Sequence, residues 1–333
     1  MKLPTLEYIR PESTREACCA LQAAAGEAQP IAGGTDLVPA LKNRQKRIRL
    51  LVDLDGLPGL NEISYSRQSG LRIGAMATLR QVATHAAVRS GYPLLAQAAQ
   101  SAGSVQLQVM GTVGGNICQD TCCQYFNRSA RARRSWEPCH KLNGSVCHVV
   151  KNSKQCWASY AGDLAPALLA LHAQVMIADA NGRKMVPLRE LFSGDGARPN
   201  TLRPGQIITE IVGPAPGPRC GQVYRKLRQR GSLDYPLLAV AVNLKMEKDG
   251  ETCQEASIAL TGVGRAPVVV EEAEQLAGSK VTRERIMEVS QAARRKSHPL
   301  MNICDLPASY RRQMVNVYVE SSIQQALCAA MEE

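Results

Sequence analysis

Residues 29–43 have the sequence QPIAGGTDLVPALKN, and this stretch predicts the architecture of the first half of the chain. Residues 29–32 are typical of a short strand, the turn GGTD follows at 33–36, and residues 37–43 can start a helix directly behind it. Glycine allows positive φ and close approach, so the backbone N–H groups of such a turn can bind a phosphate. Most glycine pairs in turns are structural, so this pair needs support from the rest of the chain.

The elements around this unit alternate between helix and strand. Ser13 and Glu16 have the S-x-x-E spacing of a capping box, which predicts a helix over residues 14–25 that ends at Gly26. The apolar spacing predicts strands at 50–54, 62–66, 71–73 and 174–179, and helices at 78–85 and 163–171. Alternation of this kind predicts a mixed α/β domain.

A second glycine turn, GTVGGN, occupies residues 111–116, about eighty residues after the first. Neither turn has the G-x-G-x-x-G or P-loop spacing, which disfavours a Rossmann or kinase-like nucleotide site. Two such turns on successive α/β units could instead hold the two phosphates of one dinucleotide from opposite sides.

The length of 333 residues predicts more than one compact unit. Turn-forming residues around 198–205 and 214–218 place the predicted boundary near residue 195, between a first domain at 1–194 and a second at 195–333. Strands at 222–227, 239–246 and 256–263 predict an antiparallel sheet in the second domain, and the remainder is predicted to be mostly helical. The predicted fold class is therefore α+β.

The net charge by itself excludes few classes of binding partner. The chain has 40 basic and 29 acidic residues, a formal net charge of +11, but only 4% aromatic residues. Because no basic stretch is interleaved with stacking side chains, no nucleic-acid partner is expected. No apolar run reaches the roughly 18 residues of a membrane span, and the N-terminal residues lack the apolar region of a secretory signal, so no membrane association and a cytoplasmic location are expected.

Cysteine is the most informative residue type, because in a chain without an export signal a cysteine cluster suggests metal ligands. Six of the 12 cysteines fall between residues 118 and 156, and four of these follow the pattern C-x15-C-x7-C-x8-C. Four thiolates suit zinc or a [4Fe–4S] cluster, and the absence of C-x2-C pairs favours the cluster. His140 and His148 are alternative ligands. The neighbouring basic residues would offset cluster charge: Arg128, Arg131, Arg133, Arg134, Lys141, Lys151 and Lys154.

Four separated motifs resemble the flavoprotein subunits of the xanthine dehydrogenase and carbon monoxide dehydrogenase superfamily. They are IAGGTDL at 31–37, GTVGGNI at 111–117, GDLAP at 162–166, and YRKLRQR at 224–230 with Asp234 four residues later. Their order and spacing extend over nearly the whole chain. The resemblance implies a two-part FAD-binding domain of the PCMH type, made of two small α/β subdomains, and a C-terminal domain of antiparallel sheet and helices.

The resemblance also implies which residues hold FAD. The two glycine loops would bind the pyrophosphate, Asp163 would lie towards the adenosine ribose, and Lys226 would approach the flavin. The implied FAD-binding residues are Ile31, Ala32, Gly33, Gly34, Thr35, Asp36, Leu37, Leu107, Gly111, Thr112, Gly114, Gly115, Asn116, Gly162, Asp163 and Lys226. No residue of this chain is expected to be catalytic, since the organic substrate would bind to a partner subunit.

Most members of this superfamily pass from the second glycine turn to the G-D motif within about ten residues, whereas this chain inserts roughly forty, at about 120–160. This insertion resembles the medium subunit of 4-hydroxybenzoyl-CoA reductase, in which an inserted loop binds an extra [4Fe–4S] cluster. The implied ligands are Cys123, Cys139, Cys147 and Cys156. Cys122 is the alternative first ligand, and Cys123 is chosen because an aromatic pair and Asn127 follow it.

The resemblance implies an electron-transfer subunit. A ferredoxin-like donor would reduce the [4Fe–4S] cluster, and electrons would then pass through FAD to a small [2Fe–2S] subunit and a large molybdopterin subunit. The holoenzyme, a dimer of heterotrimers, would convert 4-hydroxybenzoyl-CoA to benzoyl-CoA. One alternative is the FAD and [4Fe–4S] subunit of an aldehyde or heterocycle oxidoreductase running oxidatively; a remote one is a zinc-stapled, basic nucleic-acid-binding protein.

Overall fold

The computed structural model describes residues 2–231, 233–301, 303–304 and 306–332. Its N-terminal part is a parallel three-stranded sheet in the order β1-β3-β2. Two helices connect the strands, and the glycine turn at 33–36 joins the second strand to the second helix, as the sequence predicted. The elements are β1 (Glu7–Ile9), α1 (Thr14–Ala23), β2 (Ala28–Ile31), α2 (Leu37–Lys42) and β3 (Leu50–Asp53).

Helix α1 begins at the predicted N-cap Ser13, but the Glu16 carboxylate bonds to the N–H of Glu12 and not, as in a capping box, to that of Ser13. The Ser13 hydroxyl accepts a hydrogen bond from the Glu16 backbone N–H at 3.2 Å, and the Glu16 carboxylate accepts one from the Glu12 N–H at 2.8 Å. The helix ends at Ala23, two residues before its predicted end, because Ala25 adopts a positive φ of 46° that leaves the right-handed helical region.

An antiparallel five-stranded sheet forms the second part of the first unit, in the order β4-β5-β10-β6-β7. Leucine, isoleucine and alanine side chains of the sheet and of the helices packed on it make the largest core, including the fully buried Leu94, Leu168 and Val175. The elements are β4 (Ile63–Ser66), β5 (Gly70–Gly74), α3 (Leu79–Thr84), α4 (Ala86–Gly91), α5 (Pro93–Ser101), α6 (Val105–Met110), α7 (Val113–Ile117), α9 (Leu164–Ala170), β6 (Gln174–Asp179), β7 (Gly182–Pro187) and β10 (Ile207–Gly213).

The predicted boundary near residue 195 lies before the last strand of this sheet. Strand β10 inserts between β5 and β6, pairing antiparallel with both, so the first unit extends to Gly213 in the structure. A short hairpin, β8 (Phe192–Asp195) and β9 (Arg198–Asn200), covers the turn-rich residues that suggested the boundary. These turns are a connection within the unit because β10 returns to the centre of the sheet.

The C-terminal unit is an antiparallel sheet covered by two helices. Strands β11 (Cys220–Leu227), β12 (Leu238–Met246) and β13 (Thr252–Thr261) are its main strands, with β14 (Val268–Val269) and β15 (Ser279–Lys280) paired to β13. Helices α10 (Arg283–Lys296) and α11 (Ala308–Met331) follow. Buried Val315, Val319, Ile323 and Ala326 lie three or four residues apart on α11 and pack on the sheet. The predicted α+β fold class is thereby confirmed.

The predicted insertion lies between α7 and α9. It contains one short helix, α8 (Ala130–Arg133), a 3-10 turn at His140–Leu142 and otherwise irregular chain. Its two ends are joined by backbone hydrogen bonds between Cys122 and Ser159 at 2.7 and 2.9 Å. Its own buried apolar cluster has only four members, Cys123, Phe126, Cys156 and Ala158. Within the described residues, no helix has both the length and the apolar character needed to cross a membrane.

Candidate functional site

A cleft of about 500 Å³ lies between the two glycine turns. This volume is in the range of small-molecule and cofactor sites, roughly 300–1,000 Å³. The predicted FAD-binding residues that line the cleft are Ala32, Gly33, Gly34, Thr35, Asp36, Leu37, Thr112, Gly114 and Gly115. The structure therefore brings nine of the sixteen predicted FAD-binding residues to one cleft.

The two glycine turns touch each other at Gly33. A Cβ atom built on Gly33 would overlap the backbone carbonyl oxygen of Met110, at the end of α6. The second glycine turn is held in place by the Leu79 backbone N–H, which donates to the Gly111 carbonyl at 2.9 Å. A residue with a side chain at position 33 would therefore push the two loops apart and change the shape of the cleft.

The backbone N–H groups of the two turns differ in their availability. Those of Val113, Gly114 and Gly115 donate to Ala77, Ala75 and the Thr112 hydroxyl at 2.8–3.1 Å. In the first turn Gly34 has a φ of 68°, and the N–H groups of Gly34 and Thr35 have no hydrogen-bond partner in the described part of the chain. Successive free N–H groups beside a left-handed residue form an anion-binding concavity. The first turn thus has the donors that a pyrophosphate needs, whereas the second contributes close packing.

Two carboxylates and two ammonium groups lie at one end of the cleft. The Lys141 ammonium donates to Asp120 Oδ1 at 2.6 Å, and Lys46 Nζ lies 3.9 Å from Asp120 Oδ2. The Asp120 backbone N–H donates to Asp36 Oδ2 at 3.3 Å. Burial raises the pKa of Asp36, and this hydrogen bond from Asp120 opposes the rise. The two lysines offset the carboxylate charge at this end of the cleft, which would otherwise repel a phosphate ligand.

Five predicted FAD-binding residues, two of them within the second turn itself, hold the turns in place. The Ile31 side chain lies next to Gly34, and the Gly111 N–H donates to the Leu107 carbonyl at 2.6 Å. The Asn116 side-chain oxygen accepts from the Leu164 N–H at 3.0 Å, which joins the second turn to the G-D motif that contains Gly162. These residues do not line the cleft, so their direct contact with FAD stays a prediction.

The predicted residues Asp163 and Lys226 bind each other in the interior. Lys226 Nζ lies 2.9 Å from Asp163 Oδ1, Tyr224 donates to the same oxygen at 2.7 Å, and Lys226 also donates to the Ser101 carbonyl at 3.0 Å. Burial raises the pKa of Asp163, and the Lys226 ammonium opposes that rise. Because Asp163 begins α9 and Lys226 lies on β11, the pair joins the first unit to the C-terminal sheet.

Replacing Asp163 with asparagine should lower the free energy of unfolding by about 3 kcal/mol, since it leaves the Lys226 ammonium buried without its counter-ion. The double variant Asp163→Asn/Lys226→Met should recover most of this loss. Urea unfolding followed by circular dichroism measures both. Glu251→Gln, which breaks the exposed pair with Lys280, is the control and should have little effect. An equal loss in the single and double variants would contradict the pairing.

The four predicted cluster ligands line a single cavity in the insertion. Cys123, Cys139, Cys147 and Cys156 surround it, together with aromatic, aliphatic, lysine and histidine side chains. The ring nitrogens of His140 and His148 bond to the carbonyls of Ser153 and Glu137, at 2.9 and 2.8 Å. In the described part of the chain, no three His, Cys, Asp or Glu side chains are grouped closely enough to hold one metal ion, but a [4Fe–4S] cluster, with one thiolate on each of its four irons, does not need such a grouping.

Backbone N–H groups point at three of these four sulfur atoms. Burial raises the pKa of Cys123, and the N–H groups of Phe126 and Tyr125 hydrogen-bond to the thiol and oppose the rise. Burial likewise raises the pKa of Cys156 to about 11, against a hydrogen bond from the Ala158 N–H. The Val150 N–H lies 3.5 Å from Cys147 Sγ. Such N–H···S contacts are among the features that set the reduction potential of iron–sulfur clusters.

Cys122 is not among the residues that line this cavity. Its backbone pairs with Ser159, and its buried thiol lies near Asp36, Lys141 and Tyr235. Since successive residues of extended chain place their side chains on opposite sides, Cys123 alone of the two faces the cavity. This placement supports the choice of Cys123 over Cys122.

Sequence reasoning missed part of the cleft wall. Phe126 and Lys141 come from the insertion, and the segment from the end of β9 to the start of β10 contributes another side, including Asn200, Arg203 and Gln206. The turn-rich composition of 198–205 indicated a boundary rather than a binding segment. The sequence singled out Lys141 only as one of the basic residues of the insertion and Phe126 only as one of the aromatic pair after Cys123.

Two family models together match most of the chain. A model described as the FAD binding domain in molybdopterin dehydrogenase matches residues 4–216, and one described as the CO dehydrogenase flavoprotein C-terminal domain matches residues 222–326. The division between them falls after β10, where the first unit ends in the structure.

Relatives agree with these matches. The aldehyde oxidoreductase FAD-binding subunit PaoB of Escherichia coli is 33% identical over 277 residues, 80% of this chain and 84% of that protein. The carbon monoxide dehydrogenase medium chain of Afipia carboxidovorans is 27% identical over 98% of both chains. The solved carbon monoxide dehydrogenase of Hydrogenophaga pseudoflava superposes with a TM-score of 0.81 at 26% identity, covering 99% of both chains.

The cleft, the free N–H groups of the first glycine turn and the two matched domains lead to one assignment. The cleft has the volume of a cofactor site, and the free N–H groups of Gly34 and Thr35 suit the pyrophosphate of FAD. The chain belongs to the FAD-binding medium subunits of the carbon monoxide dehydrogenase and xanthine oxidase family of molybdenum hydroxylases, and it is an electron-transfer subunit of an oxidoreductase.

Proposed function

We propose that this chain carries a [4Fe–4S] cluster in addition to FAD and relays electrons between them. The observation that carries this proposal is the convergence of Cys123, Cys139, Cys147 and Cys156 on one cavity. Four cysteine thiolates are the usual ligand set of such a cluster. When bound, a [4Fe–4S] cluster exchanges single electrons and FAD exchanges up to two, so the pair can connect one-electron and two-electron carriers.

The residues around the thiol cavity suit an anionic cluster. Lys141 lines the cavity with its ammonium group almost fully buried, its side chain being 3% exposed. Arg133 lies 5.9 Å from the Phe126 ring, and Arg128 lies 4.8 Å from the Trp136 ring. Nearby positive charge and N–H···S hydrogen bonds both stabilise the reduced, more negative form of a cluster. These residues would therefore raise the reduction potential.

Partner subunits follow from the proposed role. The chain would bind a large molybdopterin subunit, where the organic substrate reacts, and a small [2Fe–2S] subunit between that site and FAD. The relatives' descriptions as a medium chain and a FAD-binding subunit support such an assembly. A dimer of heterotrimers is the assembly we propose.

We propose the oxidative direction for the holoenzyme, with an aldehyde as substrate. The similarity to the E. coli aldehyde oxidoreductase subunit, at 33% identity over 80% of this chain, supports this direction. Electrons would then leave the molybdenum subunit through [2Fe–2S] and FAD towards an external acceptor, and the [4Fe–4S] cluster would exchange electrons with FAD.

The 4-hydroxybenzoyl-CoA reductase, which was the first hypothesis from the sequence, becomes the second candidate. It rests on the cysteine insertion, whose contexts around Cys123 and Cys147 resemble those of that enzyme's medium subunit. In this candidate a ferredoxin-like protein would reduce the cluster, and two electrons with two protons would remove the phenolic hydroxyl as water.

Two assays on the same enzyme preparation separate the two candidates. The complete enzyme, purified with its partner subunits without oxygen, is given benzaldehyde with a quinone or dye acceptor and, separately, 4-hydroxybenzoyl-CoA with reduced ferredoxin. Formation of benzoate in the first assay supports the aldehyde candidate, and formation of benzoyl-CoA in the second would replace it with the reductase. A variant of the large subunit that cannot bind molybdopterin serves as the control for both reactions.

A further inference from the structure

The thiol cavity and the FAD cleft share a wall. Phe126 and Lys141 line both of them. Phe126 is 4% exposed, and the Lys141 ammonium lies 4.6 Å from the centre of its ring, so the two side chains form one packed unit.

The Lys141 ammonium is held by all three of its hydrogens. It donates to Asp120 Oδ1 at 2.6 Å, to the Thr121 hydroxyl at 2.6 Å and to the Thr121 carbonyl at 2.8 Å. Asp120 is in turn bonded to Asp36 of the first glycine turn through its backbone N–H at 3.3 Å. A continuous set of contacts therefore leads from Lys141 to the first glycine turn, whose residues Gly34 and Thr35 line the cleft.

The contacts that lead from Lys141 to the first glycine turn begin next to the predicted cluster ligands. Cys139 precedes the 3-10 turn that contains Lys141, and Cys123 precedes Phe126 by three residues. The insertion has a buried apolar cluster of only four residues, two of which are themselves thiol ligands, Cys123 and Cys156. Ordering some forty residues of irregular chain costs conformational entropy that so small a core offsets only in part. Bonds from four thiolates to one cluster would supply the missing constraint.

We propose that occupancy of the thiol cavity sets the affinity of this chain for FAD, through Phe126 and Lys141. With the cluster in place, both side chains are fixed where they close the cleft, and the Lys141 ammonium offsets the charge of the Asp120 carboxylate, which would otherwise repel the dinucleotide phosphates. Without it, the binding of FAD has to order this wall as well, so affinity falls. This inference rests on the proposed cluster.

The test measures the dissociation constant of FAD on flavin-free protein by quenching of flavin fluorescence, with iron and sulfide quantified on each sample. Wild-type protein is compared before cluster removal, after removal with a chelator, and after rebuilding with ferrous iron and sulfide. Removal should weaken FAD binding about tenfold, within the usual range of coupling between two sites, and rebuilding should restore it. Circular dichroism confirms that the cluster-free chain stays folded.

Three variants test whether the coupling between the cluster and FAD binding passes through Lys141. Cys147 is absent from the wall of the FAD cleft, so Cys147→Ser should weaken FAD binding only through loss of the cluster. Lys141→Met should weaken FAD binding while about four irons per chain are retained. Cys328→Ser, an exposed thiol on α11, is the matched control and should change neither quantity.

Different results would contradict the proposed coupling and the proposed cluster. An FAD dissociation constant that stays within about twofold of wild type after cluster removal and in Cys147→Ser would overturn the coupling and leave the relay function standing. Absence of iron and sulfide from the anaerobically purified wild type would instead overturn the proposed cluster itself.

Discussion

Replacing Gly33 with alanine is expected to weaken FAD binding about 100-fold. The added methyl group would overlap the Met110 carbonyl, which is backbone and cannot rotate away, so the two glycine turns have to separate. Overpacking of this kind costs about 3 kcal/mol, which corresponds to about two powers of ten in a dissociation constant. Titration of flavin-free protein with FAD measures the change directly.

Gly231→Ala is the matched control for this prediction. A Cβ at Gly231 would meet no other atom within 4 Å, so the same glycine-to-alanine change is made without a collision. Circular dichroism and a thermal melt on both variants separate loss of the site from loss of the fold. If folded Gly33→Ala bound FAD as tightly as Gly231→Ala, the cleft between the turns would not be the FAD site.

The second large effect is expected at two adjacent cysteines. Cys123→Ser should abolish the [4Fe–4S] cluster, because Cys123 lines the cavity and a serine hydroxyl is a much poorer iron ligand than a thiolate. Cys122→Ser should retain about four irons and four sulfides per chain, because the Cys122 thiol lies on the other side of the chain, near Tyr235. Iron and sulfide analysis with the visible spectrum measures both.

The comparison of Cys122→Ser with Cys123→Ser is well controlled because the two residues are adjacent. The two variants carry the same change one residue apart, in a segment whose backbone is fixed by the Cys122–Ser159 pair. Loss of the cluster in Cys122→Ser, with Cys123→Ser unaffected, would reverse the ligand assignment. Retention of the cluster in both would remove the first ligand from this segment altogether.

The local features of the fold could be predicted from the sequence. The strand, glycine turn and helix at residues 29–43 are encoded within fifteen consecutive residues, and the structure places β2 and α2 on either side of the turn. The capping box at Ser13 and the main strands of the C-terminal sheet are also local patterns. Each depends on neighbours in sequence, which a single chain shows directly.

Long-range pairing could not be predicted in the same way. Strand β10 pairs with β5, more than 130 residues earlier, so the turns before it indicated a domain boundary where the structure has a connection. Asp163 and Lys226 were each assigned to FAD from their motifs, which stays a prediction, and the pairing of the two side chains with each other across 63 residues was not predicted. A buried ion pair between two units leaves no periodic or local pattern in the sequence.

The thiol cavity combines a pattern that the sequence shows with side-chain packing that the sequence does not show. The spacing of four cysteines identified the set that lines one cavity, because a poorly apolar segment with many thiols needs a metal or cluster to hold it. The sequence left Cys122 and Cys123 as alternatives, since only the backbone pairing with Ser159 determines which side chain faces inwards. The shared wall of Phe126 and Lys141 depends on the packing of the insertion against the FAD cleft, and no motif encodes it.

The visible absorption spectrum of the anaerobically purified protein, before and after dithionite, with iron and flavin quantified on the same sample, tests the central claim most directly. We expect a flavin spectrum over a broad iron–sulfur background, both bleached by dithionite, with about one FAD and four irons per chain. Flavin without iron would contradict the relay between two cofactors and leave the four-cysteine insertion without a function. A colourless protein that contains zinc would contradict both cofactor assignments and favour the zinc-stapled alternative.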